Sequence, residues 1–93
     1  MVTRDITIIN RLGLHARAAA KFVSTASRFG AEIHLQRGNQ RINAKSIMGV
    51  MMLAASKGTT LVLTTEGEDE EPAADALQQL IADRFGESEG RSP

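Results

Sequence analysis

Hydrophobic and polar positions follow two periods along this chain, and each period predicts one type of element. Near the N-terminus, Ile6 and Ile8 alternate with polar neighbours, the two-residue period of a half-buried strand over residues 4–9. From residue 16 to about 28 the period becomes that of an amphipathic helix. Its apolar face comprises Ala19, Phe22, Val23 and Ala26, and Gly30 stands where a left-handed helix end is expected.

The rest of the chain continues this succession of short strands and helices. Strands are predicted over residues 32–36, around 41–43 and over 60–65, and helices from 47 to 54 or 55 and from Pro72 to about 85. Ser46 is suited to cap the second helix, and Asp69 or a neighbouring carboxylate the third. The order β-α-β-β-α-β-α predicts an α+β fold: a two-layer open-faced sandwich, with a four-stranded antiparallel sheet and three helices on one face.

The predicted second helix is apolar on nearly every side, although a surface helix of a small sandwich cannot bury every face. We expect three of its residues to point inward: Ile47, Val50 and Leu53. Its methionines, Met48 and one or both of Met51 and Met52, are expected to be partly exposed as an adaptable contact surface. The alternative is that the methionines fill gaps in a small core.

Length and charge restrict the possible functions. The 93 residues suit one small domain, which we place at residues 1–86, with a polar tail at 87–93 that we expect to be disordered. Basic and acidic residues number 11 each, and aromatic residues are few, which argues against a nucleic-acid partner. Without cysteine or an apolar run able to span a bilayer, the chain is expected to be cytoplasmic and to bind no membrane. Its size favours a carrier without a cofactor over an enzyme.

His15 is the residue with the clearest chemical promise, because it lies where a loop meets the first predicted helix. The free amide groups and the positive dipole end of a first helical turn attract anions and disfavour an imidazolium. A neutral His15 could therefore act as a nucleophile towards phosphorus, and Arg17 could pair with the phosphate oxygens. The alternative is that His15 merely starts the helix, although Asn, Asp, Ser or Thr would do so better.

Other polar residues are interpreted as structural. The acidic run at residues 66–71 matches no calcium loop and is explained by the start of a helix, so no metal is expected. His34 should lie on a strand, on the face opposite Ile33 and Leu35, and be solvated. The chain contains no GxxxxGK[ST] phosphate loop, so we do not expect it to bind ATP.

Residues 9–23, centred on Gly13-Leu14-His15-Ala16-Arg17, resemble the segment around the active histidine of the HPr family of bacterial phosphocarriers. The resemblance continues at residues 44–48, 57–59 and 66–70 and spans residues 4 to about 85. It implies that His15 accepts a phosphoryl group at Nδ1 from phospho-Enzyme I of the phosphoenolpyruvate-dependent phosphotransferase system. His15 would then donate it to Enzyme IIA-type proteins in sugar transport, with Arg17 assisting the phosphate.

The resemblance also implies a regulatory site and a docking face. Ser46 would be phosphorylated by an HPr kinase/phosphorylase, an assignment compatible with a plain helix cap. The docking face shared by the partners would comprise Ala16, Arg17, Ala20, Lys21 and Ser24 of the first helix together with Lys45, Ile47, Met48, Met51 and Met52. Lys21 and Lys45 would complement an acidic partner. A carrier that presents one face to successive partners is expected to be a monomer.

One position departs from the family pattern, since many members have a proline where this chain has Ala18. Alanine forms helices well, so we expect the chemistry to be unchanged. The variant is more similar to proteobacterial members, some of which belong to a nitrogen-related regulatory branch. Two alternatives therefore stay open: a regulatory relative that acts by docking and Ser46 phosphorylation, and a small ligand-binding α+β domain.

Overall fold

The computed structural model describes residues 1–87. Their elements are β1 (Val2–Thr7), α1 (Ala16–Ala26), β2 (Glu32–Arg37), β3 (Gln40–Asn43), α2 (Ile47–Met52), β4 (Thr60–Glu66) and α3 (Glu70–Ala82), followed by a 3-10 turn at Arg84–Gly86. The strands form one antiparallel sheet in the order β1-β4-β2-β3. This confirms the predicted α+β sandwich and its element order.

The core lies between the sheet and its helices because alternate strand residues point to one face. Leu61 and Leu63 of β4 are buried beside Ile33 and Leu35 of β2. Three residues of the predicted apolar face of α1, Ala19, Phe22 and Ala26, cover this surface together with Ala18, whereas Val23 is only partly buried. Helix α3 contributes Ala73, Ala74, Leu77 and Ile81. Helix α1 packs against both α2 and α3.

The end of α1 differs from the prediction. The helix stops at Ala26 instead of about residue 28, and Gly30 does not adopt a left-handed conformation. The amides of Gly30 and Ala31 instead donate to Asp69 Oδ2 and Oδ1, each at 2.8 Å. Asp69 does occupy the N-cap position of α3, but its side chain makes no capping bond because both oxygens hold this distant turn.

The remaining boundaries shift by a few residues. Strand β1 covers Val2–Thr7 instead of residues 4–9, in register with Thr65 to Thr60 of β4. Helix α3 begins at Glu70, which leaves Pro72 in its first turn, where a missing amide hydrogen is tolerated. The helix ends at Ala82, and Phe85 is buried just beyond it in a left-handed conformation.

Candidate functional site

The loop before α1 is held in a fixed shape by buried contacts. Gly13 has φ +67°, and a Cβ at this position would lie 2.5 Å from the carbonyl oxygen of Ala55, so only glycine fits there without a shift. The next amide, that of Leu14, donates to this same Ala55 oxygen at 2.8 Å. Asn10 is fully buried, and its Nδ2 donates to the Gly13 carbonyl at 2.8 Å. These bonds fix the chain that leads into His15.

His15 is the N-cap residue of α1, as the sequence suggested. Its backbone is extended (φ −72°, ψ 175°), and its carbonyl accepts the amide of Ala19 at 2.8 Å. Its side chain makes no capping bond, so the imidazole does not use the amides of the first turn. The side chain is 30% exposed and can be approached from outside.

Glu87 completes this site, although sequence reasoning assigned it to the start of the polar tail. Its Oε2 lies 2.8 Å from His15 Nε2 and accepts a bond from Asn10 Nδ2 at 2.9 Å. Burial alone would raise the pKa of Glu87, but hydrogen bonds from His15, Asn10 and the Leu12 amide bring it below its ordinary value. The other ring nitrogen, His15 Nδ1, has no hydrogen-bond partner within residues 1–87.

Arg17 lies two residues into α1, and its side chain is exposed. Among the residues that the structure describes, none forms a hydrogen bond or an ion pair with its guanidinium. A shallow groove beside α1 brings it together with three other predicted docking residues and with Leu80 of α3. The residues that line this groove are Arg17, Ala20, Lys21, Ser24, Thr25, Arg28 and Leu80. Ala16, the fifth predicted docking residue of α1, is exposed as well.

The two lysines expected to face a partner are bound to the protein's own backbone. Lys21 Nζ donates to the carbonyl of Phe85 at 2.6 Å, and Lys45 Nζ donates to that of Phe29 at 2.7 Å. Both residues are half-buried. Their ammonium groups therefore stabilise the segments that follow α3 and α1, and they do not extend freely into solvent.

Helix α2 exposes all of its methionines. Met48 is 74% exposed, and Met51, the most buried of them, is still 42% exposed, so they are not fillers of the core. Val50 and Leu53 point inward as expected, but Ile47 is 45% exposed, and its predicted inward orientation is wrong. Side chains on a helix lean towards its N-terminus, so the first residue projects past the end of the helix instead of onto the sheet.

Ser46 caps α2, as predicted. Its backbone is extended, and its Oγ accepts the amide of Gly49 at 3.1 Å. The residue is half-buried at the edge of the exposed α2 surface. Its position is compatible with a structural cap and leaves its role as a phosphorylation site a prediction.

Other candidate sites are not formed by the described part of the chain. Within residues 1–87, no three His, Cys, Asp or Glu side chains come together in a way that could hold a metal ion. His34 is half-buried on the open side of the sheet, opposite Asn43 and Thr64. None of the helices in this part combines the length and the apolar character needed to cross a membrane.

Comparisons with known proteins identify the family of this chain. A family model described as "PTS HPr component phosphorylation site" matches residues 2–83. The phosphocarrier protein HPr of Cupriavidus necator is 56% identical over 89 residues, which cover 96% of this chain and 100% of that protein. HPr of Pseudomonas aeruginosa is 56% identical over 90 residues, with the same coverage. The crystal structure of HPr-C-His from Thermoanaerobacter tengcongensis superposes with a TM-score of 0.92 at 50% identity, covering 95% of this chain and 99% of that one. The chain therefore belongs to the HPr family, the phosphocarrier proteins of the bacterial phosphotransferase system.

Proposed function

We propose that His15 accepts a phosphoryl group from phospho-Enzyme I and donates it to Enzyme IIA-type proteins. The observation that carries this proposal is the state of the His15 ring. It is partly exposed at the start of α1, with Nε2 bonded to Glu87 and Nδ1 without a partner among residues 1–87. A nitrogen with a free lone pair on an accessible ring is what a phosphoryl acceptor requires.

The surroundings of His15 suit a transient phosphate. The first-turn amides of α1 have no intrahelical partners and are not used by the His15 side chain. The guanidinium of Arg17 is exposed and has no partner among residues 1–87, so it can pair with phosphate oxygens without breaking an existing contact. A few hydrogen bonds at an exposed helix end hold a phosphoryl group less tightly than a closed pocket, and this allows onward transfer.

Intact-mass analysis tests this function directly. The protein is incubated with Enzyme I, magnesium and phosphoenolpyruvate, as wild type, His15→Ala and His34→Ala. His34 is the matched control because it is the only other histidine. One acid-labile phosphate on wild type and His34→Ala, and none on His15→Ala, is expected. Phosphate on His15→Ala would mean that another residue is the acceptor, and phosphate on none of the three would reject the carrier function.

The same proposal assigns a docking surface to the exposed residues of α1 and α2. Met48, Met51 and Met52 are flexible apolar side chains on a helix that packs against α1. The groove that contains Arg17 and Lys21 lies along α1 itself. A single monomer presenting this surface to Enzyme I and then to an Enzyme IIA-type acceptor would suffice, because each transfer needs only one His15 ring.

We further propose that phosphorylation of Ser46 by an HPr kinase/phosphorylase regulates docking. A phosphate on Ser46 Oγ would add negative charge beside the exposed residues of α2, and this would repel an acidic partner. The Ser46→Asp variant should accept phosphate from Enzyme I more slowly than wild type. The Ser46→Ala variant removes the Oγ acceptor without adding charge, and separates capping from electrostatics. Equal rates for Ser46→Asp and Ser46→Ala would reject regulation by charge.

A further inference from the structure

We propose that Glu87 is a positioning residue for phosphoryl transfer, which keeps the proton of the His15 ring on Nε2 and leaves Nδ1 as the attacking nitrogen. The inference rests on the proposed role of His15 as phosphoryl acceptor and adds a residue to it. The contact joins residues 72 positions apart in the chain, through a distance of 2.8 Å between His15 Nε2 and Glu87 Oε2.

The segment that carries Glu87 is built to deliver it to this place. Arg84, Phe85 and Gly86 have φ values of 55°, 54° and 78°, a left-handed conformation that is unfavourable for the two residues that are not glycine. Phe85 is 2% exposed, and its carbonyl accepts the ammonium of Lys21 at 2.6 Å. The amide of Glu87 donates to the carbonyl of Arg84 at 2.9 Å. The buried ring of Phe85 and the ammonium of Lys21 therefore hold this turn in the conformation that places Glu87 beside His15.

The partners of Glu87 determine which group holds the proton. Two groups converge on Oε2: the ring of His15 at 2.8 Å and the Nδ2 group of Asn10 at 2.9 Å. An amide NH2 can only donate, and the amide of Leu12 also donates to this carboxylate. The carboxylate is therefore suited to be an ionised acceptor, and the ring atom facing it, Nε2, is the one that bears hydrogen.

The transfer step then balances without movement of a proton. The lone pair of His15 Nδ1 forms a bond to the phosphorus of phospho-Enzyme I, the bond from phosphorus to the donor breaks, and its electron pair stays on the donor. The ring, with phosphorus on Nδ1 and hydrogen on Nε2, gains one positive charge. The carboxylate of Glu87 stabilises this charge as it develops, as an orienting carboxylate does beside a reacting imidazole. In onward transfer the Nδ1–phosphorus electron pair returns to the ring, which becomes neutral again.

Nitrogen-15 NMR of the unphosphorylated protein near pH 7 tests the hydrogen bond without any transfer. We expect His15 to carry its proton on Nε2, with exchange against water that is slower than for the ring of His34. His34 is an internal reference, because no residue among 1–87 forms a hydrogen bond with its ring. In Glu87→Gln, whose neutral Oε1 is a weaker acceptor than the carboxylate, this exchange should become faster than in wild type. A wild-type ring protonated on Nδ1, or exchanging as fast as that of His34, would overturn the inference even if His15 accepts phosphate.

Kinetics of phosphorylation by Enzyme I give the second readout. Glu87→Gln removes the charge but keeps the length of the side chain. With this variant as the acceptor, we expect the kcat of Enzyme I to fall by about tenfold or more, with little change in the KM of Enzyme I for the carrier. Glu68→Gln is the matched control, since Glu68 is an exposed carboxylate in the turn before α3. A thermal scan shows whether each variant is folded at the assay temperature. An unchanged kcat for a folded Glu87→Gln would overturn the inference. Phosphate on His15→Ala would instead reject the proposed acceptor while leaving the NMR result intact.

Discussion

Replacement of Gly13 by alanine should destabilise the protein and disturb the loop that leads into His15. Two separate costs arise at this position. The φ of +67° is unfavourable for any residue with a Cβ, by about 1–2 kcal/mol. The added Cβ would also lie 2.5 Å from the carbonyl oxygen of Ala55 and 2.8 Å from the Cα of Ser56. Backbone atoms cannot rotate away as a flexible side chain can, so the two segments must separate.

Separation of these segments weakens the hydrogen bond from the Leu14 amide to the Ala55 carbonyl, now 2.8 Å long. A buried amide deprived of its acceptor costs about 1–3 kcal/mol. The two costs together give a loss of about 2–5 kcal/mol in the free energy of unfolding. For a domain of this size, a loss of about 3 kcal/mol corresponds to a fall in Tm of roughly 12–24 °C.

The chain supplies a matched control at Gly38. This glycine has φ +59°, similar to that of Gly13, but a Cβ there would meet no atom within 4 Å. Gly38→Ala therefore carries the conformational cost alone. Denaturant unfolding of the two variants and the wild type measures the difference, which should be about 1–3 kcal/mol in favour of Gly38→Ala. Equal destabilisation of both variants, within about 0.5 kcal/mol, would refute the claim that the approach of Ala55 and Ser56 constrains position 13.

Two further substitutions test the docking surface and the dependence of stability on acidic pH. Because Met48 is exposed, Met48→Glu should change the free energy of unfolding by less than about 0.5 kcal/mol. The same substitution should raise the KM of Enzyme I for this carrier, whereas Met48→Leu should not. An unchanged KM for Met48→Glu would exclude Met48 from the interface. The Gly30 amide lowers the pKa of Asp69 most, burial opposes it, and the Ala31 amide lowers it further. In the folded protein the pKa of Asp69 lies below its ordinary value of 3.8. The ionised carboxylate therefore stabilises the fold above pH 3.8, and this contribution is lost as the pH falls through the pKa of Asp69 in the folded protein. The stability deficit of Asp69→Asn at pH 7, measured by denaturant titration, should therefore shrink below pH 3.8, and a constant deficit would contradict this linkage.

The layer structure could be predicted from the sequence because it depends on local periodicity. Alternation at Ile33 and Leu35 identified a strand face that the structure buries, and the strand predicted over residues 60–65 buries Leu61 and Leu63 beside it. Alternation assigns a face but not a neighbour, so it carries no information on the strand order β1-β4-β2-β3. Helix ends were less predictable, since the turn after α1 is fixed by the distant side chain of Asp69.

The candidate site divides in the same way into local and distant parts. The position of His15 at the start of α1 could be predicted because the junction between a loop and a helix depends on consecutive residues. Glu87 could not, because its approach to His15 depends on Arg84 and Phe85 adopting a left-handed conformation, which no sequence rule assigns to such residues. Lys21 was expected to face a partner, but its long side chain reaches the Phe85 carbonyl.

Asn10 holds the parts of this site together, at a cost in folding free energy. Its Nδ2 donates to both the Gly13 carbonyl and Glu87 Oε2, and its Oδ1 is buried without a hydrogen-bond partner among residues 1–87. Reversal of the amide would place an oxygen against two acceptors, so the observed orientation is the only one that serves both. An unpaired buried acceptor costs about 1–3 kcal/mol. In return, the same amide group links the loop before His15 to the carboxylate that contacts the His15 ring, through the two hydrogen bonds of Nδ2.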